Sequence, residues 1–380
     1  MTKTQDTDFQ RFVKRYGSPI NPDLATHATF FSPNFAFFSG LKRQIKLKPD
    51  QHAPHLEFGF CMVKDYPNAV VGRSGDTYCA LIYHMYLPAL LEVYGILLSH
   101  PEIAPSLGDR DRETARPHHR REIAWGFHQW TDNFRHGRTW HDAFTTYAPA
   151  CPERQSLVVF MTNIALRFLW LHETAHVLDG HLEYQQTVHR RSEMIMHFRD
   201  DRTATEIVKK ELSILEIAAD NLAIQYLLQS ILDGGEINYP ACMSGAGTDD
   251  KLYVHLLALV FLSWYWMGRE AQIAFDNGVS ESRFGWDSYP SPTGRLIKMV
   301  ATFRDTVTRI WPGCGSDLQR CLDRLEADVD VVAALGSHYE ILRVVKVPDQ
   351  AAPIFYRPFL ISEKFVNDLR DRVRPFSRVL

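Results

Sequence analysis

Two histidines and a glutamate form the most informative short pattern in the sequence, His172-Glu173-Thr174-Ala175-His176. Residues four apart on a helix project from one face, so His172 and His176 can direct ring nitrogens at the same ion. Glu173 is turned about 100° from His172 around the helix axis, which places it beside such an ion without making it a ligand. The pattern is typical of a zinc site with an open position, where Glu173 acts as general base toward a zinc-activated water.

The residues around this pattern are apolar: Leu166, Phe168, Leu169, Trp170 and Leu171 precede it, and Val177 and Leu178 follow it. Two imidazoles and a carboxylate buried among such residues would be costly without a partner. The context therefore argues against a chance match on a solvated helix face, which is the usual setting of an accidental five-residue pattern.

A zinc site of this kind needs a third protein ligand, and Glu216 is the best candidate. Glu216 and Asp220 are the only acids in the apolar stretch 212–224, and their spacing places them on one helix face. We expect Glu216 to be the third ligand and Asp220 to orient a ligating histidine. Two alternatives stay open: a solvated acidic stripe at 216 and 220, and His181 as a ligand rather than a residue at a helix end.

The combination of HETAHVLDGH with Glu216-Ile217-Ala218-Ala219-Asp220 on a later helix resembles the gluzincin metallopeptidases. Among these it is most similar to the HtpX and CAAX-prenyl-protease type. The first motif also resembles that of the Lit and ImmA/IrrE-like peptidases. The resemblance covers roughly residues 156–300, and it implies a zincin-like helical core, Zn²⁺ as cofactor and a protein or peptide substrate.

The resemblance also implies two groups that stabilise the oxyanion during hydrolysis. In Ser288-Tyr289-Pro290-Ser291-Pro292-Thr293-Gly294-Arg295, Tyr289 occupies the place where the family has His, and Arg295 matches the family's Arg. We expect Tyr289 to donate a hydrogen bond and Arg295 to supply a charge. The alternatives are a turn aromatic at 289 and a surface charge at 295. His255, on an apolar helix, is a weaker candidate.

The distribution of elements predicts an α+β fold that is mostly helical, with a small N-terminal β-sheet. Residues 56–83 read as two or three strands, and helices are expected at 85–99, 156–178, 203–232, 252–275, 295–310, 316–335 and 363–372. We expect three domains: an N-terminal region (1–150) that ends in a His/Trp-rich linker at 109–147, a metallopeptidase core (151–310) and a C-terminal helical extension (311–380).

Charge and composition exclude several kinds of partner. The 42 Lys and Arg residues nearly balance the 45 Asp and Glu residues, so the chain has no broad electrostatic footprint for nucleic acid. The six scattered cysteines and the polar N-terminus favour a cytoplasmic protein with reduced thiols. The apolar stretch 252–267 is shorter than a usual membrane span, so we expect a buried core helix and leave membrane association as an alternative.

These observations predict a zinc-dependent endopeptidase. Two alternative functions remain: a non-catalytic, zinc-stabilised interaction module, and a membrane-associated peptidase anchored through 252–267. A structural zinc site would be closed by four protein ligands, whereas a catalytic site keeps an open position.

Overall fold

The computed structural model describes residues 6–19, 34, 37, 54–62, 68–113, 147–191, 193–195, 206–232, 239–276, 292–335 and 363–379. The chain divides into two compact units that are both discontinuous in sequence. The first unit comprises 1–86, 166–237 and 361–380, and the second comprises 87–165 and 238–360.

The first unit contains a mixed five-stranded sheet. Its strands are β1 (Ser18–Pro19), β2 (Leu56–Met62), β3 (Ala69–Ser74), β4 (Thr77–Tyr83) and β5 (Glu193–Ile195), in the order β1-β2-β4-β3-β5. Strands β2 and β4 are parallel, and every other neighbouring pair is antiparallel. The first and last strands in this order are the edges, so β2, β3 and β4 are all internal.

The two faces of the sheet pack against different helices because side chains alternate along a strand. Cys61 of β2 belongs to a buried cluster with Phe12 and Val13 of helix α1 (Asp8–Tyr16). Its neighbour Phe60 lies on the other face of the sheet and packs edge-on against Trp170, with ring centroids 4.7 Å apart. Trp170 lies in the histidine-bearing helix, so the sheet holds that helix on the face opposite α1.

Four more helices contribute to the described part of the first unit. They are α3 (Pro152–Leu178), which carries the two histidines and belongs to this unit from residue 166, α4 (His181–His189), α5 (Glu206–Leu232) and α9 (Glu363–Val373). Helix α2 (Tyr86–Leu98) belongs to the second unit except for its first residue, Tyr86, which is the last residue of segment 1–86.

The second unit is helical in its described part. Besides α2 and the start of α3 it contains α6 (Thr248–Asp276), α7 (Pro292–Ile310) and α8 (Gly315–Leu335). Residues 252–266 of α6 are all buried, including Trp264, Tyr265 and Trp266. The expectation of a buried core helix is therefore confirmed for these residues. Among the helices that the structure describes, none has the length and hydropathy that a membrane span requires.

A buried arginine organises the turns after α2. The Arg154 guanidinium donates to the backbone carbonyls of Leu98, His100, Ile103, Ala104 and Leu107, at 2.6 to 3.2 Å. The same turns receive a second anchor, because the Ala104 amide donates to Asp328 of α8 at 2.7 Å.

The expected fold class, α+β and mostly helical with a small sheet, is confirmed. Four of the described elements were not expected: helix α1, helix α4, strand β1 and strand β5, the last of which enters the sheet from the middle of the chain. The three consecutive domains remain a prediction, and most of the His/Trp-rich linker (114–146) lies outside the described residues, as does 336–362.

Candidate metal centre

Three side chains from two helices converge in the first unit: His172 and His176 of α3 and Glu216 of α5. The two Nε2 atoms are 3.1 Å apart. The Glu216 carboxylate lies 3.2 Å from Nε2 of His172 and 3.4 Å from Nε2 of His176. All three residues are buried, and they form the only such group that the described part of the chain contains.

These separations fit the coordination of a divalent cation. In a tetrahedral zinc site with bonds of about 2.0 to 2.1 Å, neighbouring ligand atoms lie roughly 3.3 Å apart. The three observed distances fall on either side of this value. The cluster could therefore bind a metal ion, with one nitrogen from each ring and the Glu216 carboxylate as ligands.

The contact made by Nδ1 of His172 explains why Nε2, the ring nitrogen that faces Glu216 and His176, can bind a metal ion. Nδ1 of His172 lies 2.8 Å from Oδ1 of Asp220, one turn beyond Glu216 on α5. A carboxylate accepts a hydrogen bond, so Nδ1 carries the proton and, in the neutral ring, Nε2 carries the lone pair. Asp220 thus stands where the sequence placed the orienting carboxylate, and it is fully buried.

Nδ1 of His176, the ring nitrogen that faces away from the cluster, also has a partner. The sequence analysis did not predict that partner. Nδ1 of His176 lies 3.0 Å from Nδ1 of His181, the first residue of α4. His181 is buried, but it lies on the far side of the His176 ring from the cluster and is not one of the three converging groups. The Gly180-His181 pair directly after the histidine helix was the available signal.

Gly180 creates the turn that returns His181 to the helix. Its backbone has φ +71° and ψ 17°, the left-handed conformation that glycine adopts without steric cost. A Cβ at this position would also lie only 2.2 Å from the backbone carbon of Phe376. Helix α3 therefore ends at Leu178 and α4 begins after only two intervening residues, which brings His181 back beside His176.

The electrostatics of the cluster favour a cation. Burial lowers the pKa of His172, but its bonds to Asp220 and Glu216 outweigh burial and raise that pKa to about 9. Burial raises the pKa of Glu216, but His176 and His172 outweigh it and hold that pKa well below its usual range. Without a metal, a proton on His172 compensates the Glu216 charge, and a divalent cation would replace that proton.

Glu173, the expected general base, is fully buried beside His172 in α3. Arg295 is also buried, in the second unit, where its guanidinium lies over the Trp266 ring at 4.2 Å from the centroid. Tyr289 lies outside the described residues. His255 donates a hydrogen bond from Nδ1 to the Lys251 carbonyl oxygen at 2.8 Å, as a core histidine would.

A second charged cluster near α5 is built around Glu211 and was not anticipated as a unit. The buried Glu211 carboxylate binds Arg372 of α9 at 2.7 Å, His189 of α4 at 2.7 Å and the Tyr184 hydroxyl at 3.1 Å. The arginine fills one side of the carboxylate, so this cluster is an ion pair that joins three helices rather than a set of free metal ligands.

The C-terminal segment also contacts the end of the histidine helix directly. The backbone N–H of Arg378 donates to the Leu178 carbonyl at 2.7 Å. Its guanidinium donates to the Tyr78 hydroxyl and the Glu183 carboxylate, each at 2.7 Å. The segment thereby satisfies one of the carbonyls that a helix C-terminus leaves without an intrahelical partner.

Comparisons of this chain with protein-family models, with curated proteins and with solved structures found no match. The resemblance to gluzincins therefore rests on the motif residues alone and stays a prediction.

Proposed function

We propose that this protein is a zinc-dependent endopeptidase that hydrolyses peptide bonds of a protein substrate. The observation that carries the proposal is the convergence of His172, His176 and Glu216 at separations of 3.1 to 3.4 Å. Two nitrogens and one carboxylate are a ligand set that zinc enzymes use, and a set of three leaves a coordination position open.

Zn²⁺ fits these residues better than the hard cations do. Magnesium and calcium prefer sites made of oxygen ligands, whereas imidazole nitrogen suits zinc and the neighbouring transition metals. When bound, zinc supplies Lewis acidity, which polarises a carbonyl oxygen and makes water more acidic.

Glu173 is the residue that moves protons in this proposal. It takes a proton from the water whose oxygen adds to the peptide carbonyl carbon, and it delivers that proton to the amine as the C–N bond breaks. Its position in the helix, next to His172 and three residues before His176, supports this role. Asp220 and His181 take no proton from the substrate; they bind the Nδ1 atoms of the two histidines.

A second function is favoured by the burial of the site. His172 and Glu173 have no solvent-exposed surface, and Glu216 is 5% exposed. Such burial is also found in a non-catalytic, zinc-stabilised module in which the metal joins α3 to α5. The two functions make different predictions for substrate cleavage and the same prediction for metal content.

The deciding experiment compares the wild-type chain with Glu173→Gln, using Glu153→Gln as the matched control because Glu153 is exposed at the start of the same helix. Elemental analysis should give about one zinc per chain in all three proteins. Cleavage of denatured casein and of a peptide mixture, followed by mass spectrometry, should be lost only in Glu173→Gln.

Each outcome separates the alternatives. Wild-type protein that is folded as purified and contains no zinc would contradict the site itself. Normal cleavage by Glu173→Gln would show that another group is the base. Zinc bound by all three proteins, with no cleavage of either substrate by the wild type, would favour the structural module.

A further inference from the structure

We propose that His181 is a positioning residue that holds His176 in the metal-binding tautomer by accepting a hydrogen bond from its Nδ1–H. This inference rests on the metal site of the proposed function, but it does not depend on whether the site hydrolyses peptides. The observation behind it is the 3.0 Å separation of the two Nδ1 atoms, between rings that are both buried.

The direction of this hydrogen bond follows from the position of the other nitrogen. Nε2 of His176 lies in the cluster, 3.1 Å from Nε2 of His172 and 3.4 Å from the Glu216 carboxylate. A nitrogen that ligates a metal carries no proton, so the proton of the neutral His176 ring is on Nδ1. Nδ1 of His181 must then be the acceptor, and the proton of His181 is on Nε2.

The surroundings of His181 agree with this tautomer. Oδ2 of Asp179 lies 3.9 Å from Nε2 of His181, which is too far for a direct hydrogen bond but places negative charge on the protonated side of the ring. The His176 and His181 rings meet at 61° with their centroids 5.2 Å apart. This edge-on arrangement allows an N–H of one ring to point at a lone pair of the other.

The two metal-binding histidines are therefore oriented by different kinds of acceptor. His172 donates to the Asp220 carboxylate, whereas His176 donates to a neutral imidazole. Glu216 and Asp220 already supply two carboxylates to balance a divalent cation in a buried site. With Glu173 the site already has three buried carboxylates, so a neutral acceptor beside His176 avoids a fourth buried charge, which would be costly.

The proposal predicts which replacements at 181 preserve metal binding. The side-chain amide of Asn reaches the place of the imidazole Nδ1, so His181→Asn can still accept the hydrogen bond. In His181→Gln the amide reaches the place of Nε2 instead, and His181→Leu has no acceptor. Gln185→Leu is the matched control, because Gln185 is buried in the same helix and its amide has no hydrogen-bond partner in the described part of the chain.

The first measurement is Zn²⁺ affinity by competition with a chromophoric chelator, with thermal unfolding in chelator as the folding control. Loss of an outer hydrogen-bond partner typically weakens metal binding by about 10- to 100-fold. We expect such a loss for His181→Leu and His181→Gln, but affinities within about threefold of wild type for His181→Asn and Gln185→Leu. Equal losses in the Asn and Leu variants would overturn the proposal.

The second measurement is a spectroscopic signature that a merely structural role would not change. In the Co²⁺-substituted protein the ring N–H protons of ligating histidines give strongly shifted proton resonances. Two exchange-protected resonances are expected in wild type, one of which His181→Leu should abolish and Asp220→Ala should spare. A signal for His176 that is unchanged in His181→Leu would contradict the assigned hydrogen bond.

The outcomes also distinguish this proposal from the proposed function. The expected affinity ranking without any peptide cleavage would support His181 as a positioning residue and count against the peptidase. Peptide cleavage by the wild type together with equal Zn²⁺ affinities among the variants at 181 would support the peptidase and count against the role of His181. Two zinc ions per wild-type chain would indicate a metal between the two Nδ1 atoms, and that result would overturn the hydrogen bond.

Discussion

Nδ1 of His172 lies 2.8 Å from Oδ1 of Asp220, although the two residues are 48 positions apart in the chain. The contact joins the helix with both histidines to the helix with the Glu216 carboxylate, because Asp220 follows Glu216 by one turn. Two residues one turn apart on α5 therefore have different roles: Glu216 is a candidate ligand, and Asp220 orients His172, which is another.

Replacement of Asp220 by Ala should weaken Zn²⁺ binding by about 10- to 100-fold, because His172 loses the acceptor that fixes its tautomer and ring orientation. Asp220→Asn should weaken binding less, since the amide oxygen can still accept the bond. Affinity can be measured by chelator competition, with exposed Asp305→Ala as control. An affinity for Asp220→Ala equal to that of the control would show that the contact does not support the metal.

Glu216 and Glu211 provide a matched pair on the same helix. Glu216→Ala removes a converging ligand atom and should lower Zn²⁺ affinity by more than ~100-fold, beyond the usual effect of an outer partner. Glu211→Ala breaks the contacts to Arg372, Tyr184 and His189 and should lower the thermal unfolding midpoint instead. Similar losses of affinity in both variants would mean that Glu216 is not the third ligand.

The sequence predicted the converging residues because their placement depends on local geometry. His172 and His176 share a helix face through their spacing alone, and the same holds for Glu216 and Asp220. The apolar residues beside them indicated burial, and the structure has all four side chains buried. The sequence indicated that α3 and α5 face each other only because a metal site needs a third ligand.

The contacts that the sequence did not predict depend on turns and on distant segments. The approach of His181 to His176 requires the left-handed backbone of Gly180, and nothing in the spacing of the two histidines requires it. The ion pair between Glu211 and Arg372 joins parts of the chain far apart in sequence. Helix α1 did have a local signal that was overlooked, since Thr7 and Gln10 form a capping box.

Gly180→Ala should lower both stability and metal affinity. A left-handed backbone costs a residue with a Cβ about 1 to 2 kcal/mol, and the added carbon would collide with the backbone of Phe376. Because relief of the collision must displace the turn or the C-terminal segment, His181 should move away from His176. Urea unfolding in chelator and Zn²⁺ competition measure the two effects.

The matched control for this change is Gly245→Ala, where an added Cβ meets no atom within 4 Å. That variant should differ little from wild type in either measurement. If Gly180→Ala lowers stability but leaves metal affinity unchanged, the turn does not determine the position of His181.

Asp328 should make the stability of the chain depend on pH. Burial raises its pKa to about 6 from 3.8, although bonds from Tyr253 and the Ala104 amide and the charges of Arg324 and Arg154 act in the opposite direction. The folded state therefore binds this proton more tightly than the unfolded state does. Its contribution to stability is least near pH 7 and increases as the pH falls through 6 toward 4.

Asp328→Asn isolates this contribution because the amide does not titrate in that range, while other groups titrate equally in both proteins. A shift of this size corresponds to at most about 3 kcal/mol. Urea unfolding at several pH values between 7 and 4 should show the wild type gaining stability relative to Asp328→Asn by up to that amount as pH falls. A constant difference, or a gain by Asp328→Asn at low pH, would contradict the raised pKa and the burial that causes it.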